Sequence, residues 1–395
     1  MPRICILGGG FGGLFTALHL TKLPWRHQPE LLLVDRRDHF LFTPLLYELL
    51  TQEVSIGQIA PAFDTLLART GIRFHCGEVT ALDPQAKLVT LTGGAGQEVL
   101  TYDDVVLALG NEAPLDLVPG ARDYALPFRT LDDALRLHRA VSDLEASDRE
   151  KIRVCIAGAG GSGVELAGKL SDRLRERGRI RLIDRNPQIL PHSPAANRRH
   201  AERILGDRGV WIDLKTSVVG VAADAITLEF QGIQEALAAD LVLWTVGNSR
   251  PSLLQALSLD LAPTLQCRHD PNLFALGDCA VPFLPYPATA QVAFQQSGYC
   301  AYNIWAAYHG QRLLPFTYLP LGEFVSLGVG EASAALFNVI GINGAIAAQM
   351  RRWVYLLRMP TLDHQLRVAG EWLGSLVNDQ VADRISREAE PMTPK

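Results

Sequence analysis

The chain opens on a short apolar run, Ile4 to Leu7, then a glycine cluster, then apolar positions at helical spacing, then a second apolar run from Leu31 to Val34. Short apolar runs bounded by glycine read as strands buried on both faces, and a helix between two of them makes a parallel strand, helix, strand unit. The same order returns at Arg153 as RVCIAGAGGSGVELAGKLSDRL followed by RIRLID. The pattern therefore predicts two copies of one unit in an α/β chain. Alternation from Ile72 to Leu91 around Asp83-Pro84 predicts a hairpin. YDDVVLALG (Tyr102 to Gly110) and ADLVLWTVG (Ala239 to Gly247) predict buried strands ending in glycine, where the chain leaves and re-enters the first unit. NLFALGDC, Asn272 to Cys279, predicts one more. Leu131 to Leu144 is spaced as an amphipathic helix, and Pro287 to Tyr299 reads as a helix with few charges.

Past Pro315 the character changes. Ala332 to Met350 is uncharged for nineteen residues, but asparagines and glycines interrupt it and FVSLGVG before it reads as a strand, so no transmembrane span is expected. Gly344 to Arg358 predicts a helix carrying Trp353 to Leu357 beside Arg351, Arg352 and Arg358. After Pro360 a second helix places Leu362, Leu366, Ala369, Leu373 and Leu376 on one stripe. Aromatics flanked by arginines suit a helix lying on an anionic membrane, and a homodimer interface or a cover over the first dinucleotide domain is the competing explanation. The tail from Val377 is polar and expected to fray.

The glycines carry the first chemistry. Gly8, Gly10 and Gly13 stand at G-x-G-x-x-G spacing between strand and helix, with Asp35 at the end of the next strand; Gly158, Gly160, Gly163 and Asp184 repeat the arrangement. In such a turn one glycine permits the bend, the next lets a pyrophosphate approach the backbone, and the third lets helix pack on strand. The acid accepts bonds from a ribose diol, so two dinucleotide sites are expected. A carboxylate at Asp184 favours NADH over NADPH, which Arg181 and Arg185 could soften. Glu165 is placed in the first turn of the second helix, near the nicotinamide end. Gly277 and Asp278 can approach and bond a polyol, and Gln291 and Gln295 share one helical face.

A formal charge of −5 with no basic run excludes nucleic acid as the main partner. The six cysteines show no paired spacing and read as reduced residues. The loop from His39 to Ala60 holds Phe42-Thr43-Pro44 and no thiol, so no redox disulfide is expected beside the first site, and metal ligation is expected nowhere. Met1-Pro2-Arg3 runs directly into the first strand, which predicts a cytoplasmic location.

With GGGFGG and Asp35, FLFTPLLYE, GAGGSGVELAG and Asp184, LFALGDCA, and PATAQVAFQQ in place, the chain resembles the type II NAD(P)H:quinone oxidoreductases. The ending WVYLLRMPTLDHQLRVAGEW is similar to the cyanobacterial and plastid branch, which includes demethylphylloquinone reductases. The resemblance implies two Rossmann-like domains, for FAD and for NADH or NADPH: residues 1–115 and 248–320 for the flavin, 116–247 for the nicotinamide, and 321–395 as a monotopic anchor on the cytoplasmic side of a membrane. It implies Glu165 and Gln295 as catalytic residues. The implied cofactor-binding set is Gly8, Gly10, Gly12, Gly13, Asp35, Pro44, Val79, Gly110, Gly158, Gly160, Gly163, Asp184, Gly247, Gly277, Asp278, Ala290 and Gln291. The expected activity is ping-pong, non-pumping reduction of a naphthoquinone or plastoquinone. A soluble reductase of a small redox protein and a flavin-binding sensor or scaffold are the alternatives, while sulfide:quinone chemistry lacks its paired cysteines.

Overall fold

The computed structural model describes residues 1–374 apart from residues 95, 256, 258, 282 and 338. Two five-stranded parallel sheets form the scaffold. The first runs Leu273–Ala275, Asp104–Leu107, Arg3–Leu7, Glu30–Asp35, Arg73–Cys76; the second runs Trp211–Leu214, Gly178–Asp184, Ile152–Ala157, Leu241–Trp244, Ala125–Pro127. In each, the strand that enters a glycine turn is central, paired on both edges and buried over its last four residues, so the turn opens at the carboxyl edge where open α/β sheets bind ligands.

The duplication extends further than the two glycine motifs. Each parallel sheet receives a three-stranded antiparallel insert after its acid-side edge strand: Glu78–Asp83, Leu88–Gly93 and Gly96–Thr101 in the first, Thr216–Val221, Ala225–Phe230 and Ile233–Ala238 in the second. This corrects the hairpin expected from Ile72 to Leu91. Arg73–Cys76 joins the parallel sheet beside Leu32–Asp35, and only the segment from Glu78 onward turns back at Asp83. Phe74 packs on Phe63 at 4.7 Å between ring centres and Gly77 N–H donates to the Asp35 carbonyl, which fixes the first half elsewhere.

A third antiparallel sheet, Gly322–Gly328, Glu331–Leu336 and Ile340–Asn343, lies on helix Gly161–Leu174. The approach is close enough that a Cβ at Gly168 would stand 2.6 Å from the Leu327 carbonyl. Helix Ala345–Leu356 follows, and residues 362–374 form a further helix. On that last helix His364, Val368 and Trp372 are buried, while Leu362, Leu366 and Leu373 of the expected stripe are 67%, 63% and 53% exposed. Leu376 and the tail lie outside the described residues. Among the described residues no helix is long and apolar enough to cross a membrane.

Candidate active site

The two glycine turns are built alike. Gly8 has φ +104° and a Cβ there would lie 2.3 Å from the Ala108 carbonyl oxygen; a Cβ on Gly13 would lie 1.8 Å from the Gly8 oxygen. Gly158 has φ +101°, and a Cβ on Gly163 would likewise lie 1.8 Å from the Gly158 oxygen. These four glycines serve bend and packing. Gly10 and Gly160 meet nothing within 4 Å, so the middle glycine of each turn faces open space. Helices Phe11–Leu20 and Gly161–Leu174 start at these open positions with no side-chain cap, leaving first-turn N–H groups for an anion.

Each turn is held by its acid. Asp35 accepts from Gly9 N–H at 2.6 Å and Arg37 N–H at 2.9 Å. Asp184 accepts from Ala159 N–H at 2.7 Å and from both the backbone and side-chain nitrogens of Asn186 at 2.8 Å. Arg181 is committed elsewhere: it pairs with Asp213 at 3.2 Å and stacks over Trp211 at 5.0 Å. The expectation that Arg181 softens Asp184 is therefore corrected, since successive residues of a strand point to opposite faces and only Arg185 remains exposed beside the acid.

A single cleft of about 1650 Å³ connects the two halves. Gly8, Gly10, Gly12, Asp35, Pro44, Val79 and Gly110 line one arm, Gly160, Gly163 and Glu165 another, and Gly277, Asp278, Ala290, Gln291 and Gln295 a third. Gly13, Gly158, Asp184 and Gly247 lie outside its lining. At the seam the crossing segments pair through Glu112 and Ser249, which exchange backbone bonds of 2.8 and 2.9 Å, with Gly110 and Gly247 both left-handed at φ +70° and +75°. Arg129 ties them together by donating to the Gly247 carbonyl at 2.6 Å, to Asn248 at 2.5 Å and to Asn111. Asn111 in turn donates to Asp278 at 2.8 Å, and burial raises that carboxyl above its usual range.

Glu165 sits where the arms meet. It is the fifth residue of its helix, not part of the first turn, so the dipole reading is corrected: its side chain is held by side-chain and strand donors. Its Oε1 accepts from the Tyr47 hydroxyl at 2.5 Å and from Ser326 N–H at 3.0 Å. Burial pushes this carboxyl up to about 7. Two further side chains of the same face read the same strand edge: Lys169 donates to the Gly328 carbonyl at 3.0 Å and pairs with Glu53, and Asp172 accepts from Val329 N–H at 2.6 Å.

Tyr47 is fixed from the far end of the chain. Arg351, 4% exposed on helix Ala345–Leu356, donates to the Tyr47 hydroxyl and to the Pro44 carbonyl at 2.8 Å each, pairs with Glu48, and stacks over the rings of Tyr47 and Tyr355 at 5.4 and 4.8 Å. Burial pushes the Tyr47 phenol up, so it remains a donor to Glu165.

The three glutamines of helix Ala290–Tyr308 divide their work. Gln295 bonds the Leu319 backbone on both sides, donating to its carbonyl at 2.8 Å and accepting from its N–H at 3.0 Å. Gln291 donates to the Gly322 carbonyl at 3.2 Å and accepts from Tyr318 at 2.5 Å. Both thus clamp the segment that walls the cleft. Gln296, fully buried, accepts from Gly277 N–H at 2.7 Å and so orients the turn that carries Asp278. Tyr47, Arg351, Arg129, Asn111 and Gln296 were not found from the sequence. Gln296 had a signal there as the neighbour of Gln295 four positions before Cys300, and the sequence reading of Arg351 as a membrane-facing arginine is corrected, since its side chain is buried against Glu48 and Tyr47.

All six cysteines are free and all but Cys76 are buried. No group of side chains that could hold a metal occurs among the described residues.

The pattern of the pyridine nucleotide-disulphide oxidoreductases matches residues 2–297. The chain is 47% identical over 96% of its length to demethylphylloquinone reductase NdbB of Synechocystis, covering 97% of that protein. It is 38% identical over 96% of its length to an alternative NAD(P)H-ubiquinone oxidoreductase C1 of Arabidopsis thaliana, covering 82% of it. In fold it is similar to NDH2 of Plasmodium falciparum solved with NADH, at a TM-score of 0.83 and 16% identity over 94% of this chain and 97% of that one. A sulfide:quinone oxidoreductase from Aquifex aeolicus shares the fold at a TM-score of 0.76 and 21% identity over 90% of each chain. By its glycine turns, its duplicated sheets and its close relatives, this chain belongs to the pyridine nucleotide-disulphide oxidoreductases, within the type II NAD(P)H:quinone oxidoreductases.

Proposed function

We propose that this chain carries a hydride from NADH or NADPH, through FAD, to a membrane naphthoquinone of the demethylphylloquinone class, with plastoquinone as a second acceptor. The observation that carries the reading is the continuous cleft, which joins two open glycine turns to an amide-bearing helix and to the C-terminal helix around one buried acid. The residues fit both dinucleotides, because the glycine that must admit a pyrophosphate is open in each turn while the first and third glycines of the motif are closed by backbone. FAD when bound supplies the two-electron relay between nicotinamide and quinone.

In this reading residues 1–115 and 248–320 hold the flavin, with Asp35 at the ribose and Asp278 at the polyol, and residues 116–247 hold the nicotinamide dinucleotide, with Asp184 favouring NADH. Glu165 holds and gives a proton at the junction, where burial keeps it on the carboxyl against the pull of the Tyr47 hydrogen bond, Tyr47 orients that carboxyl, and Gln291 and Gln295 shape the acceptor wall. Residues beyond 321 dock peripherally on the cytoplasmic side of a membrane. Ile346, Leu357, Leu362 and Leu366, all more than 60% exposed, support that placement. A homodimer through the same face would bury them instead.

The deciding measurement is kcat/KM for NADH and NADPH against naphthoquinone, plastoquinone and ferredoxin acceptors. Turnover with quinones is expected, and replacing the exposed Leu362 and Leu366 with aspartate should shift that turnover out of the membrane pellet. Turnover with ferredoxin alone would overturn the reading.

A further inference from the structure

Four arginines line the cleft: Arg36, Arg37, Arg129 and Arg358. Arg36 pairs with Glu78 at 3.6 Å, Arg37 with Asp35 at 3.4 Å, and Arg129 spends its donors on Asn111, Gly247 and Asn248. Arg358 has neither an ion pair nor a side-chain hydrogen bond among the described residues. Its guanidinium lies 4.6 Å from the centre of the ring of Phe294, on the helix that also carries Gln291 and Gln295, and Phe294 meets Phe15 edge to face at 4.7 Å. The other charges at this end are already matched. Glu323 accepts from Ser193 at 2.7 Å, Glu165 is held by Tyr47 and Ser326, and Arg351 is enclosed by Glu48 and Tyr47.

A cation just past the end of helix Ala345–Leu356 gains from the helix dipole, but that gain needs only proximity to the last carbonyls. Stacking on Phe294 instead fixes the charge in the cleft wall, half-buried, where it is screened less than at the surface. An unspent, oriented guanidinium in an otherwise apolar and amide-lined wall is the arrangement that stabilises charge developing on an oxygen.

Resting on the proposed quinone-reductase reading, we propose that Arg358 is a catalytic residue of the acceptor half-reaction, stabilising the oxyanion of the reduced quinone as it forms. The balance is complete. The hydride taken from the nicotinamide brings two electrons and one proton to the quinone, giving the quinol monoanion and the oxidised nucleotide; a second proton from solvent, by way of Glu165, gives the neutral quinol. Arginine keeps its proton throughout. It contributes charge only, and acts most where the oxygen is most negative.

The test uses the flavin-loaded, full-length enzyme in stopped flow, prereduced with NADH and mixed with 1,4-naphthoquinone. Arg358→Met is expected to slow flavin reoxidation about tenfold or more, to lower kcat with little change in KM for the neutral quinone, and to leave flavin reduction by NADH at its original rate. That last rate also reports that the variant has folded and holds its flavin. Arg358→Lys, which keeps the charge, should recover most of the loss. With the anionic acceptor 1,4-naphthoquinone-2-sulfonate, the methionine variant should lose kcat/KM by a larger factor than with the neutral one. Reoxidation of Arg358→Met at the original rate would overturn the assignment, as would an equal loss in the lysine and methionine variants, which would mark a packing role against Phe294. If the unaltered enzyme is not reoxidised by naphthoquinone at all, the quinone-reductase reading fails first and this assignment with it.

Discussion

The hydroxyl of Tyr47 donates a 2.5 Å hydrogen bond to Glu165, joining the loop after the first glycine motif to the helix of the second. The two residues meet where the arms of the cleft meet, so one proton-bearing pair borders both dinucleotide sites and the acceptor end. Burial holds the acid near neutrality, with its value raised from the ordinary 4.5 to about 7.

A pH profile follows from that shift. Below about pH 7 Glu165 carries a proton it can give; above, it is charged and cannot. Flavin reoxidation by quinone should therefore fall as the pH rises through about 7, and Glu165→Gln should be slow and flat across the range. Stability moves the same way. The folded value exceeds the unfolded one, so the contribution is complete below about 4.5 and is lost as pH rises through about 7. Stopped-flow reoxidation and thermal melts at matched pH check both, and a pH step retained in Glu165→Gln would remove this acid as the proton source.

Arg351→Met should destabilise the protein by about 3–5 kcal/mol, because it strands the buried Glu48 carboxylate and frees Tyr47. Pairing it with Glu48→Gln should return much of that loss, since no uncompensated charge then remains buried. Denaturant melts of the single and double variants measure the difference. Equal midpoints for the two would show that the ion pair does not hold the C-terminal helix in place.

The parts of this site that a linear reading reaches are those whose geometry is local. Gly10 and Gly13 are three residues apart and the turn they form needs no distant partner, so motif and fold agree there. The Tyr47 to Glu165 and Arg351 to Glu48 contacts join residues 118 and 303 positions apart, and neither side chain carries a local pattern that announces its partner. Arg73–Cys76 fails for a related reason. Period-two alternation is the same for a hairpin strand and for the half-covered edge of a parallel sheet, and only the packing of Phe74 on Phe63 decides between them. Glu165, Lys169 and Asp172 do leave a trace, as polar residues at i, i+4 and i+7 on a helix whose Gly168 invites close packing, but the partner is a backbone edge more than 150 residues away.

Neighbouring glutamines should separate cleanly. Gln296→Ala removes the acceptor for the half-buried Gly277 N–H, a loss of about 1 kcal/mol, and should weaken flavin binding by loosening the turn that carries Asp278. Gln295→Ala frees Leu319 at the acceptor wall and should slow reoxidation by quinone while reduction by NADH stays nearly unchanged. Flavin fluorescence titration and the two half-reactions in stopped flow distinguish them; the same defect in both variants would contradict this division.

The sharpest check on the cofactor sites compares glycines within one turn. Gly13→Ala would put a methyl 1.8 Å from the Gly8 carbonyl oxygen, an overlap that no side-chain movement can relieve, so the variant should fail to fold. Gly10→Ala meets nothing within 4 Å and its φ of −76° suits alanine, so the protein should fold with an unchanged melt in the absence of flavin. Its methyl would nonetheless occupy the approach of the pyrophosphate, and the purified variant should carry little flavin. Gly160→Ala, equally open, should keep its flavin and raise KM for NADH instead. Circular dichroism, the flavin-to-protein absorbance ratio and steady-state KM read the three outcomes, and a Gly10→Ala protein with full flavin content would place the coenzyme away from this turn.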